Sequence, residues 1–211
     1  MHFTKSDLSN QEKIFRLNLI NSVTGIKPAN LIGTKNDQGQ TNLAIFSSVI
    51  HLGSNPPLIG FISRPVGEVR RHTIENIEQQ GQYTINSVPA SMMEQAHLTS
   101  AKLEEAESEF EYCGFTEEYL EGFSAPFVKE SPLKMGLSIV ESIPIERNGT
   151  ILMIGEIEHL VVDKKAISKE GYLNLEHLGV AGISGLNSYY NLKYESSFPY
   201  ARRQMVIPSE A

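Results

Sequence analysis

Apolar residues fall into two rhythms along this chain. Ile14, Phe15, Leu17, Ile20 and Val23 recur at helical spacing, and Gly25 follows as a stop. Ser9, with Glu12 three residues on, predicts a capping box for that helix and leaves residues 1–8 as an arm. After Lys27-Pro28 the rhythm shortens. Ala29–Thr34 predicts a strand, the Asp37/Gly39 turn reverses the chain, and Asn42–Ile50 is mostly extended. The Pro56-Pro57 pair stops it. Leu58–Ser63 is a continuous apolar run, which predicts a short strand buried on both faces. Helical spacing returns over Glu68–Gln80, with Val69, Ile74 and Ile77 inward and Gly81 as the stop. Tyr83–Asn86 is rich in β-formers and predicts another strand. Ser91–Leu98 predicts a helix, and Ala101–Phe110 a second.

The segment from Tyr112 to Pro132 breaks both rhythms. It is rich in Gly, Pro, Phe and Glu, and reads as a long irregular insertion, a lid or a partner contact. Lys134–Ile145 and Thr150–Asp163 then predict a hairpin around Asn148-Gly149, the strongest turn signal in the chain. Asn148-Gly149-Thr150 also matches a glycosylation sequon, but the turn is the better reading. Residues 172–211 hold little regular pattern and end in a tail from 186 onward. There is no internal repeat and no domain boundary. A single domain over residues 1–211, mainly β with helices (α+β), is expected, built as a small β-barrel with helical decoration.

Composition narrows the function classes. The 211 residues suffice for one sizeable core, and 40% hydrophobic with 20% charged residues is a globular balance. A net charge of -7 argues against a nucleic-acid surface and against anionic membranes. One cysteine, Cys113, excludes a disulfide scaffold and fits a reducing cytoplasm. No apolar run approaches the roughly 20 residues of a membrane span, and MHFTKSDLSNQEK lacks an apolar signal region.

The candidate chemistry lies between Thr34 and Ile77. Asn42, Ala44, Ser47 and Ser48 are small or hydrogen-bonding residues that let a flat ligand lie against backbone. Arg64, Arg71 and Thr73 supply the guanidinium and hydroxyl groups that phosphate oxygens seek. The reading is a site for a phosphorylated planar cofactor. Taken alone, each piece has a plainer reading: a polar edge strand for Asn42–Ser48, solvated surface for the arginines. No catalytic constellation and no metal set stands out. The six histidines show no ligand spacing, Cys113 has no neighbouring base, and Gly182–Gly185 is not a dinucleotide-binding turn.

Four strings in order resemble the flavin reductase-like proteins of the FMN-binding split-barrel fold. They are G-x-x-N-x-A-x-x-S-S at Gly39–Ser48, S-N-P-P-L-I-G at Ser54–Gly60, S-R-P followed by R-x-T-x-x-N-I ending at Ile77, and G-Q-Y-T-I-N at Gly81–Asn86. The resemblance implies a split β-barrel with non-covalent FMN held by Asn42, Leu43, Ala44, Ser47 and Ser48, many contacts running through backbone groups. It implies phosphate contacts from Arg71 and Thr73, with Arg64 a further candidate. His72 stands where relatives commonly carry Asp. A glycine-and-tyrosine segment, here Gly179–Tyr190, reaches the flavin site in relatives, which makes Tyr190 a candidate. The basic residue that usually precedes its glycines is absent at Leu178-Gly179-Val180.

The activity implied is NAD(P)H-dependent flavin reduction, hydride passing from nicotinamide C4 to flavin N5. That step needs orientation more than an acid or base. The alternatives are a flavoredoxin-type electron carrier and a non-enzymatic flavin-binding barrel. Partners would be flavin, nicotinamide and a second copy of the chain in a homodimer. Neither nucleic acid nor membrane is expected.

Overall fold

The computed structural model describes residues 1–65, 72–104 and 107–203. Helices α1 (Lys5–Asn10) and α2 (Lys13–Ser22) lead into strands β1 (Lys27–Pro28), β2 (Asn30–Lys35), β3 (Thr41–Phe46), β4 (Ile50–Ser54) and β5 (Pro57–Ser63). Next come α3 (His72–Gln80), β6 (Gln82–Ser87), a 3-10 turn at Ala90–Met92 and α4 (Met93–Leu98). Helix α5 (Glu109–Tyr112) precedes β7 (Glu117–Glu118), β8 (Phe127–Val128), β9 (Leu133–Ile145) and β10 (Thr150–Val162). A 3-10 turn at Lys164–Ala166, helix α6 (Leu175–Leu178) and strands β11 (Ala181–Ser184) and β12 (Ser188–Asn191) follow.

Seven strands form one antiparallel sheet in the order β3-β2-β6-β9-β10-β5-β4. Its two end strands, β3 and β4, are consecutive in the chain, separated by Ser47, Ser48 and Val49 alone. That link reaches about 14 Å at most, so the sheet must curl until its ends nearly meet. A split is left between them, and Ser48 bridges it. The Ser48 hydroxyl donates to the Ile62 carbonyl and accepts the Ile62 N–H, both at 3.1 Å. Strand β4 pairs with β5 only as far as Gly60, so Ser48 gives Ile62 what a strand partner would. Ser48→Ala should leave both backbone groups unpaired and cost about 1–3 kcal/mol, read as a lower urea midpoint.

Strand periodicity sorts the core into two layers. On β2, Ile32 joins a cluster with Phe61, Ile74, Ile77, Tyr83, Ile85, Leu137 and Met153. Its neighbour Leu31 points the other way, to Leu43, Val88, Ala96, Phe110, Phe115 and Ile183. On β6 the second layer is met by polar side chains. Thr84 donates to the Pro126 carbonyl, and Asn86 Oδ1 accepts the Val128 N–H. These bonds anchor residues 126–128 to the sheet.

Several elements differ from expectation. Residues 1–8 are not a free arm: Thr4 and Asp7 form a capping box, and α1 follows. Ser9 lies inside α1 and bonds back to the Lys5 carbonyl, while Glu12 caps α2 through the N–H groups of Ile14 and Phe15. The apolar residues of α2 do have helical spacing, yet Ile14, Phe15, Leu17, Ile20 and Val23 are exposed. Asn42–Ile50 is broken after Phe46, and β4 forms a hairpin with β5 across Asn55-Pro56, whose peptide bond is cis. Within β5 only Gly60, Phe61 and Ser63 are buried. The N-terminal part of the expected Glu68–Gln80 helix lies outside the described residues. Between 101 and 110 the described helix begins only at Glu109.

Residues 112–132 carry the β7–β8 hairpin and a small core of Phe123, Ala125 and Phe127. The late chain is more regular than its sequence suggests, since β11 and β12 join β1 in a three-stranded sheet. The β9–β10 hairpin matches expectation, with residues 146–149 as its loop and Gly149 at φ 73°. Among the described residues, no helix is long and apolar enough to cross a membrane.

Candidate functional site

A cavity of about 1040 Å³ runs along the split. One part of its wall is strand β3 with the loop beyond it, from Asn42 and Ala44 to Ser47 and Ser48, continued by Ile62, Ser63 and Arg64 from β5 and by His72, Thr73 and Ile74 from α3. Further wall comes from His97, Thr99–Glu104, Glu109, and Ile183, Leu186 and Asn187 around the end of β11.

Local bonds fix this wall. Asn42 Nδ2 donates to Thr73 Oγ1 at 2.9 Å, tying the strand to the first turn of α3, and both residues are buried. One turn further along, Asn76 Nδ2 donates to Thr34 Oγ1 at 3.1 Å, so β2 and β3 hold the same helix. A second, polar cleft of about 240 Å³ shares Asn42 and His72 with the cavity. It is largely the β2–β3 turn, where Asn36 Oδ1 accepts the N–H groups of Gln38 and Gln40.

Of the residues singled out from sequence, Asn42, Ala44, Ser47, Ser48, Arg64 and Thr73 line the one cavity. Leu43 does not. Its side chain is fully buried on the opposite layer, and its N–H is taken by Glu109 Oε2 at 2.9 Å. Arg71 lies outside the described residues. Tyr190 is 41% exposed and is not among the lining residues. Its neighbour Tyr189 packs against the core instead and meets the cavity-lining His97, Nδ1 to Oη at 3.2 Å. Burial pushes the Tyr189 phenol up to about 12, so it stays protonated beside that imidazole.

The 97–109 wall was not legible. Thr99, Ser100 and Lys102 match no motif, and nothing in the charge pattern separates buried Glu109 from exposed Glu104. Burial pushes the Glu109 carboxyl above the ordinary carboxylate range. The N–H groups of Leu43 and of Glu109 itself, and the nearby His72, act in the opposite direction. Burial, then the charge of Glu109, likewise raises the Cys113 thiol, which fits an inert core cysteine. Among the described residues no His, Cys, Asp and Glu side chains cluster as a metal site. No residue of the 112–132 segment lines the cavity.

Residues 26–179 match the family model of the flavin reductase like domain. A protein from Shewanella frigidimarina with a split barrel domain, assigned to the flavin reductases, shares 50% identity with this chain. The two superpose with a TM-score of 0.89 over 95% of this chain and 100% of that one. Nitrilotriacetate monooxygenase component B from Bacillus cereus shares the fold, with 22% identity and a TM-score of 0.83 over 94% of this chain and 98% of that one. An uncharacterized protein of Halalkalibacterium halodurans is 30% identical over 207 residues, 96% of each chain.

Proposed function

This chain belongs to the flavin reductase-like family, and we propose that it holds FMN non-covalently in the cavity along its split and reduces it with NAD(P)H. The observation that supports this most is the convergence of Asn42, Ala44, Ser47, Ser48, Arg64 and Thr73 on one cavity. The cavity fits the group. Ligand pockets span about 300–1000 Å³, and this one stands at the top of that range, with room for a second planar molecule. Ala44, Ser47 and Ser48 give a floor of small side chains on which a ring system can lie. Thr73, with Arg71 two positions before it in the chain, holds the phosphate, and Arg64 adds charge from the rim.

The chemistry that flavin supplies here is acceptance of a hydride at N5 from nicotinamide C4. The chain's own part is orientation. The Asn42–Thr73 bond fixes the spacing between strand and helix, and Ser48 fixes the loop. No side chain is required as acid or base for hydride transfer. Cys113, the sole cysteine, is buried and reduced, as suits a cytoplasmic protein.

Heating the purified protein should release a yellow chromophore that comigrates with FMN. Colourless protein that cannot be reconstituted with FMN overturns the reading. Anaerobic NADH or NADPH should bleach the bound flavin within seconds. A flavin that neither donor bleaches would refute the reductase assignment while leaving FMN binding intact.

The chain acts as a homodimer. Phe198 and Tyr200 are 85% and 89% exposed, and α2 presents Ile14, Phe15 and Ile20 to solvent. Strand β9 pairs with β6 only from Lys134 to Ser138, so its far end, with Val140 and Ile143 exposed, offers a free edge. A second copy covers these surfaces. Because β12 and Tyr189 are built into their own subunit, the informative truncation starts after Lys193. That chain should lose dimer content and FMN retention together. Sedimentation of flavin-loaded full-length protein as a monomer at micromolar concentration would refute the dimer.

A further inference from the structure

His72 stands at a junction. It opens α3 and lines both the cavity along the split and the polar cleft beside it. Its neighbours in the chain, Arg71 and Thr73, are the residues assigned above to the phosphate. Asn42, whose amide donates to Thr73, is the other residue that cavity and cleft share. His72 is half-buried, and among the described residues no hydrogen bond engages its ring. Its charge nevertheless reaches the Glu109 carboxyl and holds it down against the effect of burial, so the imidazole lies near that wall of the cavity. The start of a nine-residue helix also offers N–H groups to an anion. Arginine and lysine carry their charge at any ordinary pH, whereas histidine is the side chain that gains or loses its charge between about pH 5 and 8.

We propose that His72 makes the hold on the flavin phosphate proton-linked: its imidazole takes up a proton from water as the phosphate arrives, so FMN binds more tightly as pH falls from about 8 to about 6 and riboflavin does not. This rests on the reading that FMN lies in the cavity with its phosphate at Thr73. A group that holds its proton more firmly in the complex than in the free protein strengthens binding as pH falls, until the free protein is protonated as well. The phosphate's own second proton, near pH 6, acts in the opposite direction, because a monoanion is the poorer ligand. Other charges surround the imidazole. The cleft brings Asp37, Glu75 and Glu107. The cavity brings Glu109 beside it, with Arg64, His97, Lys102 and Glu104 elsewhere on the same wall. The arginine and lysine add attraction for phosphate without changing charge between pH 6 and 8. Glu109 gives the same sign as His72 if it loses its charge beside the phosphate, and His97 is a second imidazole, so the variants must separate the three.

The test measures affinity for FMN and for riboflavin by flavin fluorescence at about pH 8, 7 and 6, in the wild type, His72→Gln and His72→Lys. The FMN affinity of the wild type relative to His72→Gln should grow from near equality at the alkaline end to about tenfold at the acid end, the worth of one charge-assisted contact. Taking this ratio cancels the titration of the phosphate itself. For riboflavin the same ratio should stay flat. His72→Lys, which carries a fixed charge, should bind FMN tightly already at about pH 8. Calorimetry at about pH 7 in two buffers of different ionisation enthalpy should show proton uptake with FMN in the wild type and less in His72→Gln. An FMN ratio that does not change with pH overturns the proposal while the FMN reading stands, because Glu109, His97 or the phosphate then carries the whole dependence. A ratio that grows equally for riboflavin also overturns it, since the proton would then serve the ring system. A wild type that binds neither flavin overturns both readings.

Discussion

Replacing Arg71 and Thr73 together with alanine should weaken FMN binding about a hundredfold or more and leave riboflavin nearly unchanged. The two flavins differ by the phosphate alone. A hydrogen bond to a charged group contributes about 1.5–3 kcal/mol, so each lost contact lowers affinity by roughly tenfold or more. Thr73 has a second duty, because its oxygen accepts Asn42 Nδ2 in a buried position. Alanine there also frees an amide, which could disturb the strand under either flavin. Thr73→Ser keeps the hydroxyl and should restore FMN affinity. Fluorescence titrations with both flavins decide the matter. Equal losses for FMN and riboflavin would mean that Thr73 and Arg71 shape the wall and do not hold the phosphate. Arg64→Ala should have the smaller effect, since Arg64 is exposed at the rim and its charge is screened by water.

What could be read from the sequence was local, and what could not was long-range. Strand β2 was legible because Leu31 and Ile32 serve opposite layers and both are apolar. The β9–β10 hairpin was legible because Gly149 has a positive φ that glycine tolerates. Asn42–Ser48 stood out because small and hydroxylic residues are unusual in a run that otherwise suits a core strand. Ser48 has a second role that its type did not report. Its hydroxyl is committed to both backbone groups of Ile62, fourteen residues on, and no local pattern reports that bond.

The 97–109 wall escaped for the same reason. His97 belongs to the cavity through α4 and through Tyr189, ninety-two positions away. Glu109 belongs to it because an edge strand needs an acceptor for Leu43. Leu43 shows the limit of the two-residue period: it sits between two cavity-lining residues, so its side chain must point to the other layer. The choice between Tyr189 and Tyr190 turns on the same alternation, and only the pairing of β12 with β11 settles which tyrosine faces the core.

Gly155→Ala should be strongly destabilising in the wild type and much less so when Tyr83 is phenylalanine. Tyr83 carries its phenol into the core, where the hydroxyl has no hydrogen-bond partner among the described residues. Burial pushes its pKa well above the ordinary tyrosine value, so the group stays neutral. The hydroxyl fits only because position 155 has no side chain: a Cβ there would stand 2.2 Å from Tyr83 Oη and 2.9 Å from Cζ. Strand β10 also shifts register between Ile154 and Gly155, which leaves little freedom to move away. Overpacking of this kind costs about 1–3 kcal/mol, sometimes more. Tyr83→Phe alone removes an unpaired buried hydroxyl, whose burial costs about 1–3 kcal/mol, and should be neutral or stabilising. In the double variant the atom at 2.2 Å is gone and the nearest neighbours lie at 2.9 and 3.1 Å, so part of the loss should return. Urea unfolding of the four proteins gives the coupling energy, expected within about 0.5–3 kcal/mol. Strictly additive changes would show that the crowding at Gly155 lies with the Ser138 carbonyl and not with the tyrosine.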